Sequence, residues 1–479
     1  MIGQIPKYRI LWTWDYCTFW DDSRYVRGIG AGAFNHRRAH FLGDYKRMVD
    51  YCAKIGVNGI VIWGALRAYD NGVEQFRELV NYGKQKGVRI LPGVGVFAYG
   101  GIFYEPWGAR SPYSLHSWLT EHPELVSVVP DGSARAAGPY YATACPSKKE
   151  NMEWFKRSFE WLFSEFQIEG AQIEVGDYAV CYCDECKKRR SKNDGAGFEI
   201  EDMAEAYTIA HNIAKKANPD SWVLCETYSS PAEISKPGDI PNTFGSILNR
   251  EQRETLAAMP SDAIIQWVVD RAIGYRTWQD WHEDVYLPTQ NNITRCHSGS
   301  QWCADGIDGW SVYAIGDMVK KARSGRINGV SIFGEESPAS PPNEANYLVF
   351  SEFCGLGNDN PDCDFELFHS QTLDPLYGGP GMSKEWKRIY ITGHNMRLDA
   401  KVILEAGPLN FHFAQYEIGQ PGLLEKAGKM TSSEKQREMV KLAKEAHDTA
   451  SKLSGEACRR WAWLENWLWR AEFLHRTNI

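Results

Sequence analysis

"YRILWTWDYCTFWDD" (residues 8–22) begins as an apolar, β-rich run and ends in aromatic and acidic residues. That ending decides between two α/β architectures. A doubly wound sheet usually follows its first strand with a glycine-rich phosphate loop. Neither G-x-G-x-x-G nor a Walker-type loop stands at this strand end or at any later one. Outward from it, β-rich runs recur at 58–64, 88–97, 170–178, 221–229, 263–270, 292–299 and 329–337. Helical patterns lie between many of them, at 40–56, 72–87, 148–166, near 201–217 and near 313–324. Eight β-then-α units predict a (β/α)8 TIM barrel.

From about residue 382 the strand pattern stops. "SKEWKRIYITGHNMRLDAKVILEAG" and "SSEKQREMVKLAKEAHDTASKLSG" read as helices, the second with a capping box at Ser433 and Gln436. The last segment carries Trp461, Trp463, Trp467 and Trp469, which cannot all share one helical face. The expected division is a catalytic barrel over 1–380 and a helical C-terminal region over 381–479. That region would pack on the barrel or join copies into a homo-oligomer.

The chain has 479 residues and a net charge of −8, with the two signs mixed along it. The absence of a basic stripe argues against a nucleic-acid partner. No apolar run approaches the roughly 18 residues that a membrane span needs. The N-terminus enters a strand pattern at once, so the expectation is a cytoplasmic protein or one whose leader has been removed. With 19 Trp, 23 Tyr and 20 Phe, the chain has enough flat rings for a large core or for stacking on sugars.

Barrel enzymes carry their chemistry at the C-terminal ends of the strands. Alternation along each strand therefore sorts candidates. In the fourth strand, Ile173 and Val175 suit the helix layer, which turns Gln172 and Glu174 into the barrel. The same reasoning turns Ser331, Phe333 and Glu335 inward, with Glu336 next to them. It also turns Gln266 and Asp270 inward while Trp267 faces out. In the first strand it places Trp12 and Trp14 outside and Thr13 and Asp15 inside. Glu226 ends the fifth strand, and His297 ends the seventh two residues after Arg295. Asp15, Glu174, Glu226, Asp270 and Glu335 would then converge on one rim, where crowding drives carboxyl pKa values apart. Hydrolysis of a glycosidic bond needs two such groups, one to protonate the leaving oxygen and one to act as nucleophile or base. Trp63, Trp267 and Trp302 would add stacking surface for a carbohydrate. Arg271 and Arg295 could clamp the acidic group of a charged sugar. No strand end supplies the lysine of a Schiff-base aldolase, and the expected catalysis needs no cofactor.

The long loop at 98–146 is rich in Gly, Pro and Tyr, and loops of this length are usually functional. The motif order is H-P-E-L, P-D-G, A-C-P-S with a helix, then "GAQIEVGDY", "CYCDEC" and "GVSIFGEESPASPPNEANYLVFSEF". It resembles the barrel glycosidases that include the α-glucuronidase-like and β-hexosaminidase-like groups. The resemblance spans most of residues 8–355 and implies a barrel glycoside hydrolase. Its general acid would follow strand four, at Glu174, with Asp177 as the nearby second choice. Glu335 or Asp270 would be its partner. The chain carries E-V-G-D where the β-hexosaminidase-like members have D-E, which speaks against catalysis assisted by an acetamido group. A weaker resemblance, to inverting sialidase barrels, would give Asp15 and a loop histidine, His116 or His122, the catalytic roles. A carbohydrate-binding barrel without catalysis is the remaining alternative.

Cys181, Cys183 and Cys186 stand as C-x-C-x-x-C after strand four. They can supply three ligands to a zinc, with Cys145, at the end of the long loop, as the fourth. Such a site would be structural; the alternatives are reduced free thiols or, in an exported protein, one disulfide and a spare thiol. Cys52, Cys225, Cys296 and Cys354 lie singly in apolar stretches and read as core or strand residues.

Overall fold

The computed structural model describes residues 4–15, 20, 40–69, 71–103, 111–135, 143–174, 180–191, 200–227, 249–268, 288–296, 310–324, 327–333, 337–397 and 426–477. Eight parallel strands form a closed barrel: β1 (Tyr8–Trp14), β2 (Gly59–Trp63), β3 (Arg89–Gly95), β4 (Gly170–Glu174), β5 (Trp222–Glu226), β6 (Ile264–Val268), β7 (Asn291–Cys296) and β8 (Gly329–Phe333). Each pairs with the next, and β8 returns to β1. The expected (β/α)8 barrel is therefore the observed fold.

Helices α1 (Phe41–Ile55) and α2 (Gly72–Lys86) follow β1 and β2. After β3 come a short α3 (Leu115–Glu121), inside the long loop, and then α4 (Lys149–Phe166). Next are α5 (Asp184–Arg189) and α6 (Ile200–Ala217) after β4, and α7 (Arg250–Ala257) after β5. Between β7 and β8 lies α8 (Val312–Ser324), and α9 (Pro341–Phe353) follows β8. The sequence pattern explains α1 directly. Phe41, Tyr45, Met48, Val49, Cys52 and Ile55 recur at helical spacing and are buried on one face. Gly56 then ends the helix at φ 75°, its N–H donating to the Cys52 carbonyl.

Side-chain alternation divides the core into two. One apolar cluster fills the layer between strands and helices, and includes Leu11, Ile60, Ile62, Ile173, Ile265 and Trp267. The other fills the barrel interior with Tyr8, Ile10, Trp12, Trp14, Val61, Trp63, Leu91, Trp222, Leu224, Ile264 and Ile293. This corrects the expected parity of β1. Trp12 and Trp14 point inward, and Thr13 points out, its Oγ1 lying 3.1 Å from the Tyr45 hydroxyl of α1. The interior accepts these indoles because β3 offers no side chain opposite Trp63. Gly93 is in register with Trp63, and a Cβ there would lie 2.4 Å from the indole.

Beyond the barrel lie α10 (Met382–Arg397), α11 (Ser432–Ala450) and α12 (Gly455–Thr477). The capping box of α11 is formed by Thr431 and Glu434, two residues before the pair expected from sequence. Both pairs satisfy the S/T-x-x-E/Q pattern; Thr431 has the extended backbone that a cap requires. Trp461, Trp463 and Trp467 are buried, whereas Trp469 is exposed, as a single helical face demands. These rings join the same apolar cluster as the barrel's outer helices. Arg460 is fixed to Glu344 of α9 by two bonds of 2.7 and 2.6 Å. No described helix is long and apolar enough to cross a membrane.

Candidate active site and cysteine centre

Glu174 and Glu226 are the last residues of β4 and β5. These strands are hydrogen-bonded neighbours, with Gln172 opposite Leu224 and Ile173 opposite Cys225. One step further along each strand, the two glutamates stand side by side. Both point into the interior and are almost fully buried, at 2% and 0% exposure. Burying a carboxylate costs several kcal/mol unless polar partners replace water. Here the strands themselves deliver those partners. Gln172 Nε2 lies 3.3 Å from Glu174 Oε2 and 3.4 Å from Glu226 Oε2. Gln266 of β6 also donates to Glu226.

Arg295 of β7 completes the cluster. Its Nη1 is 3.5 Å from Glu226 Oε2 and 3.8 Å from Glu174 Oε2. The guanidinium sits 5.2 Å from the Trp12 ring centroid, a cation–π contact that holds it between the polar and aromatic sides. The upper interior is thus split. Trp12, Trp14 and Trp63 occupy one side, with centroid separations of 5.2 to 6.4 Å. Gln172, Glu174, Glu226, Gln266 and Arg295 occupy the other. Trp63 Nε1 faces Gln172 Oε1 at 3.4 Å and joins the two. The amides of Gln172 and Gln266 were signalled only by strand parity, and no motif marks them.

Several expected site residues are placed differently. Asp15 lies at the end of β1, but its carboxylate is held by Arg67 from the loop after β2, with Nε and Nη2 each 2.8 Å from one oxygen. Both residues are buried, and this ion pair engages both carboxylate oxygens of Asp15. Trp267 belongs to the helix-side layer, fully buried, with Nε1 donating to Asn292 at 3.0 Å. It offers no stacking face. Trp63 is inside the barrel as expected but fully buried among other rings. Arg295 meets the two glutamates, so it is not the open carboxylate clamp expected from sequence. Asp177, Asp270, Arg271, His297, Trp302, Glu335 and Glu336 lie outside the described residues. His122 contacts Glu124 at 3.4 Å and the Trp118 ring.

The second polar centre lies seven residues beyond Glu174. The sulfurs of Cys145, Cys181, Cys183 and Cys186 all fall within 4.8 Å of one another. Cys145 Sγ is 3.6 Å from Cys183 Sγ and 3.7 Å from Cys186 Sγ. Three elements bring them together: the turn before α4, the segment after β4, and α5. The neighbouring donors were not foreseen. The Val128 N–H points at Cys181 Sγ from 3.3 Å, Ser147 Oγ lies 3.0 Å from Cys186 Sγ, and Arg189 Nη2 donates to the same sulfur at 3.5 Å. Hydrogen bonds from Cys145 and Cys186 hold the Cys181 thiol below its ordinary value, and the contacts of Cys145 with Cys181 and Cys186 push Cys145 up. Elsewhere burial raises Cys52 and Cys225, and it pushes Cys354 up to about 12 against the opposing charges of Arg9 and Arg323.

No protein-family model and no curated protein matches the sequence. Among solved structures, the chain is similar to a glycoside hydrolase family 20 β-N-acetylglucosaminidase. The identity is 12% over 80% of this chain and 76% of that one, with a TM-score of 0.43. It is also similar to a GH138 enzyme targeting pectin rhamnogalacturonan II, at 9% identity over 99% and 57% of the two chains and a TM-score of 0.49. A third is the α-amylase from Geobacillus thermoleovorans, complexed with acarbose, at 10% identity, 73% and 79% coverage and a TM-score of 0.41. This chain spans little more than half the length of the GH138 enzyme. At these identities the likeness concerns the barrel fold.

Proposed function

We propose that this chain is a glycoside hydrolase in which Glu174 is the general acid and Glu226 the second carboxylate. One observation carries the reading: two glutamates stand side by side at the C-terminal ends of adjacent strands, and Gln172 and Arg295 each reach both of them. Shared donors divide the labour between such a pair. When one carboxyl holds a proton, the amide and the guanidinium can settle on the other. The protonated partner is then poised to protonate a leaving oxygen, and the ionised one to attack or to activate water.

Arg295 is already committed to these glutamates, which leaves Arg271 as the remaining sequence candidate for meeting an acidic sugar. A neutral sugar fits the described residues as well as an acidic one. Catalysis by Asp15 and a loop histidine, as in inverting sialidases, is less favoured because Arg67 holds both oxygens of Asp15.

A panel of aryl glycosides, neutral and acidic, tests the reading. Turnover of at least one member, lost in Glu174→Gln and in Glu226→Gln with folding unchanged, is the expected result. Full activity in Glu174→Gln would overturn it. If Glu335→Gln or Asp270→Asn is inactive while Glu226→Gln is not, the partner carboxylate sits at the end of β8 or β6. Binding of sugars without turnover would instead select a carbohydrate-binding barrel.

A further inference from the structure

We propose that Cys145, Cys181, Cys183 and Cys186 bind one zinc ion, which fastens the loop after β3 to the segment leaving β4. The sulfur spacing carries the argument. A tetrahedral zinc with Zn–S bonds of about 2.3 Å sets its ligands roughly 3.8 Å apart. The Cys145–Cys183 and Cys145–Cys186 separations are 3.6 and 3.7 Å, and no pair within the cluster exceeds 4.8 Å. A disulfide would require sulfurs about 2.05 Å apart and would leave two thiols over. The donor set agrees with the spacing. Four thiolates select a soft or borderline cation over magnesium or calcium. They also close the coordination sphere, which marks a structural zinc and not a catalytic one.

The surroundings are those of thiolates. The Val128 N–H, the Ser147 hydroxyl and the Arg189 guanidinium all come within hydrogen-bond range of Cys181 or Cys186 sulfur. Arg189 is itself anchored to Asp202 of α6, as is Arg190. The segment 181–190 is therefore held at one end by the ion and at the other by an ion pair. Through Cys145 and Val128 the same ion holds both ends of the stretch that contains Asp131 and Arg135. Both of the joined segments spring from strands on the C-terminal side of the barrel, β4 carrying Glu174 at its tip.

The site predicts one zinc per full-length chain by elemental analysis after purification without chelators. Cys183→Ser and Cys145→Ser should lose it, and Cys225→Ser, a buried thiol outside the cluster, should keep it. If a cluster variant fails to fold, cobalt exchange into the wild-type chain provides a second readout. The visible spectrum of tetrahedral, thiolate-bound cobalt is then expected. A chain that takes up neither zinc nor cobalt would overturn the proposal. So would four thiols that react with a thiol reagent equally fast with and without added zinc. The reading is independent of the glycosidase proposal, because Glu174→Gln should retain the full zinc content.

Discussion

Two crowded polar centres lie close in sequence and solve one problem in opposite ways. At the tips of β4 and β5, two carboxylates are buried together, and the barrel itself supplies Gln172, Gln266 and the cation Arg295. At the cysteine centre four sulfurs converge, yet Arg189 is the one side-chain cation bonded to a cluster sulfur among the described residues, and it reaches only Cys186. Strands can place a counter-charge because their registers are fixed by the ladder. Loop segments have no ladder, and an ion that binds all four ligands at once can supply both charge and geometry. The comparison teaches that the first centre has its counter-charge built in by the fold, whereas the second brings four sulfurs together and, on the zinc proposal, takes its counter-charge from the ion.

The largest effect that would break this contrast is catalytic. Glu174→Gln keeps the shape and the amide contacts but removes the transferable proton, so kcat should fall about 10³-fold, within the range for loss of a general acid. Circular dichroism and Tm should stay near wild type, since the neutral amide relieves crowding. Next in size is stability. Arg295→Met would leave two buried carboxylates without the cation that reaches both, at a cost of about 3–5 kcal/mol in denaturant unfolding. Adding Glu226→Gln to that background should restore much of the loss, because one buried charge disappears. If the double variant is no more stable than Arg295→Met, the cluster is not electrostatically pre-built and the contrast fails.

The fold was legible because its signal repeats eight times. Each β-rich run and its turn reinforced the count, and closure into a barrel followed. Parity was legible where one face of a strand is plainly apolar, as in β4, which put Gln172 and Glu174 inside. It misled in β1, where Trp12, Thr13 and Trp14 look equally suited to either face. The decision there rests on Gly93, which is in register with Trp63, and on Tyr45, which takes up Thr13. Such cross-chain fits leave no local pattern. The partnership of Asp15 with Arg67 was hidden for the same reason, being set across 52 residues. The cysteines were the reverse case. Spacing marked three of them, and the adjacency of β3 and β4 supplied Cys145.

Smaller effects probe the second centre. Removing zinc with a strong chelator should lower Tm and speed proteolysis within 123–148 and 180–191, while the strands keep their protection from hydrogen exchange. Ligand-linked stabilisation of this kind amounts to about 2.7 kcal/mol when the free ion is at 100 times its Kd. Global collapse on chelation would mean that the ion stabilises the barrel as a whole and not the two segments.

The smallest expected effect is that of Arg189→Ala. Its guanidinium donates to Cys186 sulfur and shares Asp202 with Arg190, which remains to neutralise that carboxylate. Loss of a hydrogen bond to a bound ligand group typically weakens metal affinity about 10–100-fold. Because Arg189 is partly exposed and reaches one sulfur of four, the lower end of that range is expected here, read by competition with a chromogenic chelator. Arg189→Lys should recover part of it, since a point charge near Cys186 survives while the fork does not. If neither variant changes zinc affinity but both lower Tm, Arg189 serves only the ion pair with Asp202. The sulfurs would then be organised without any protein cation, by the ion and the neutral donors Val128 and Ser147, which is the sharpest form of the contrast with Arg295.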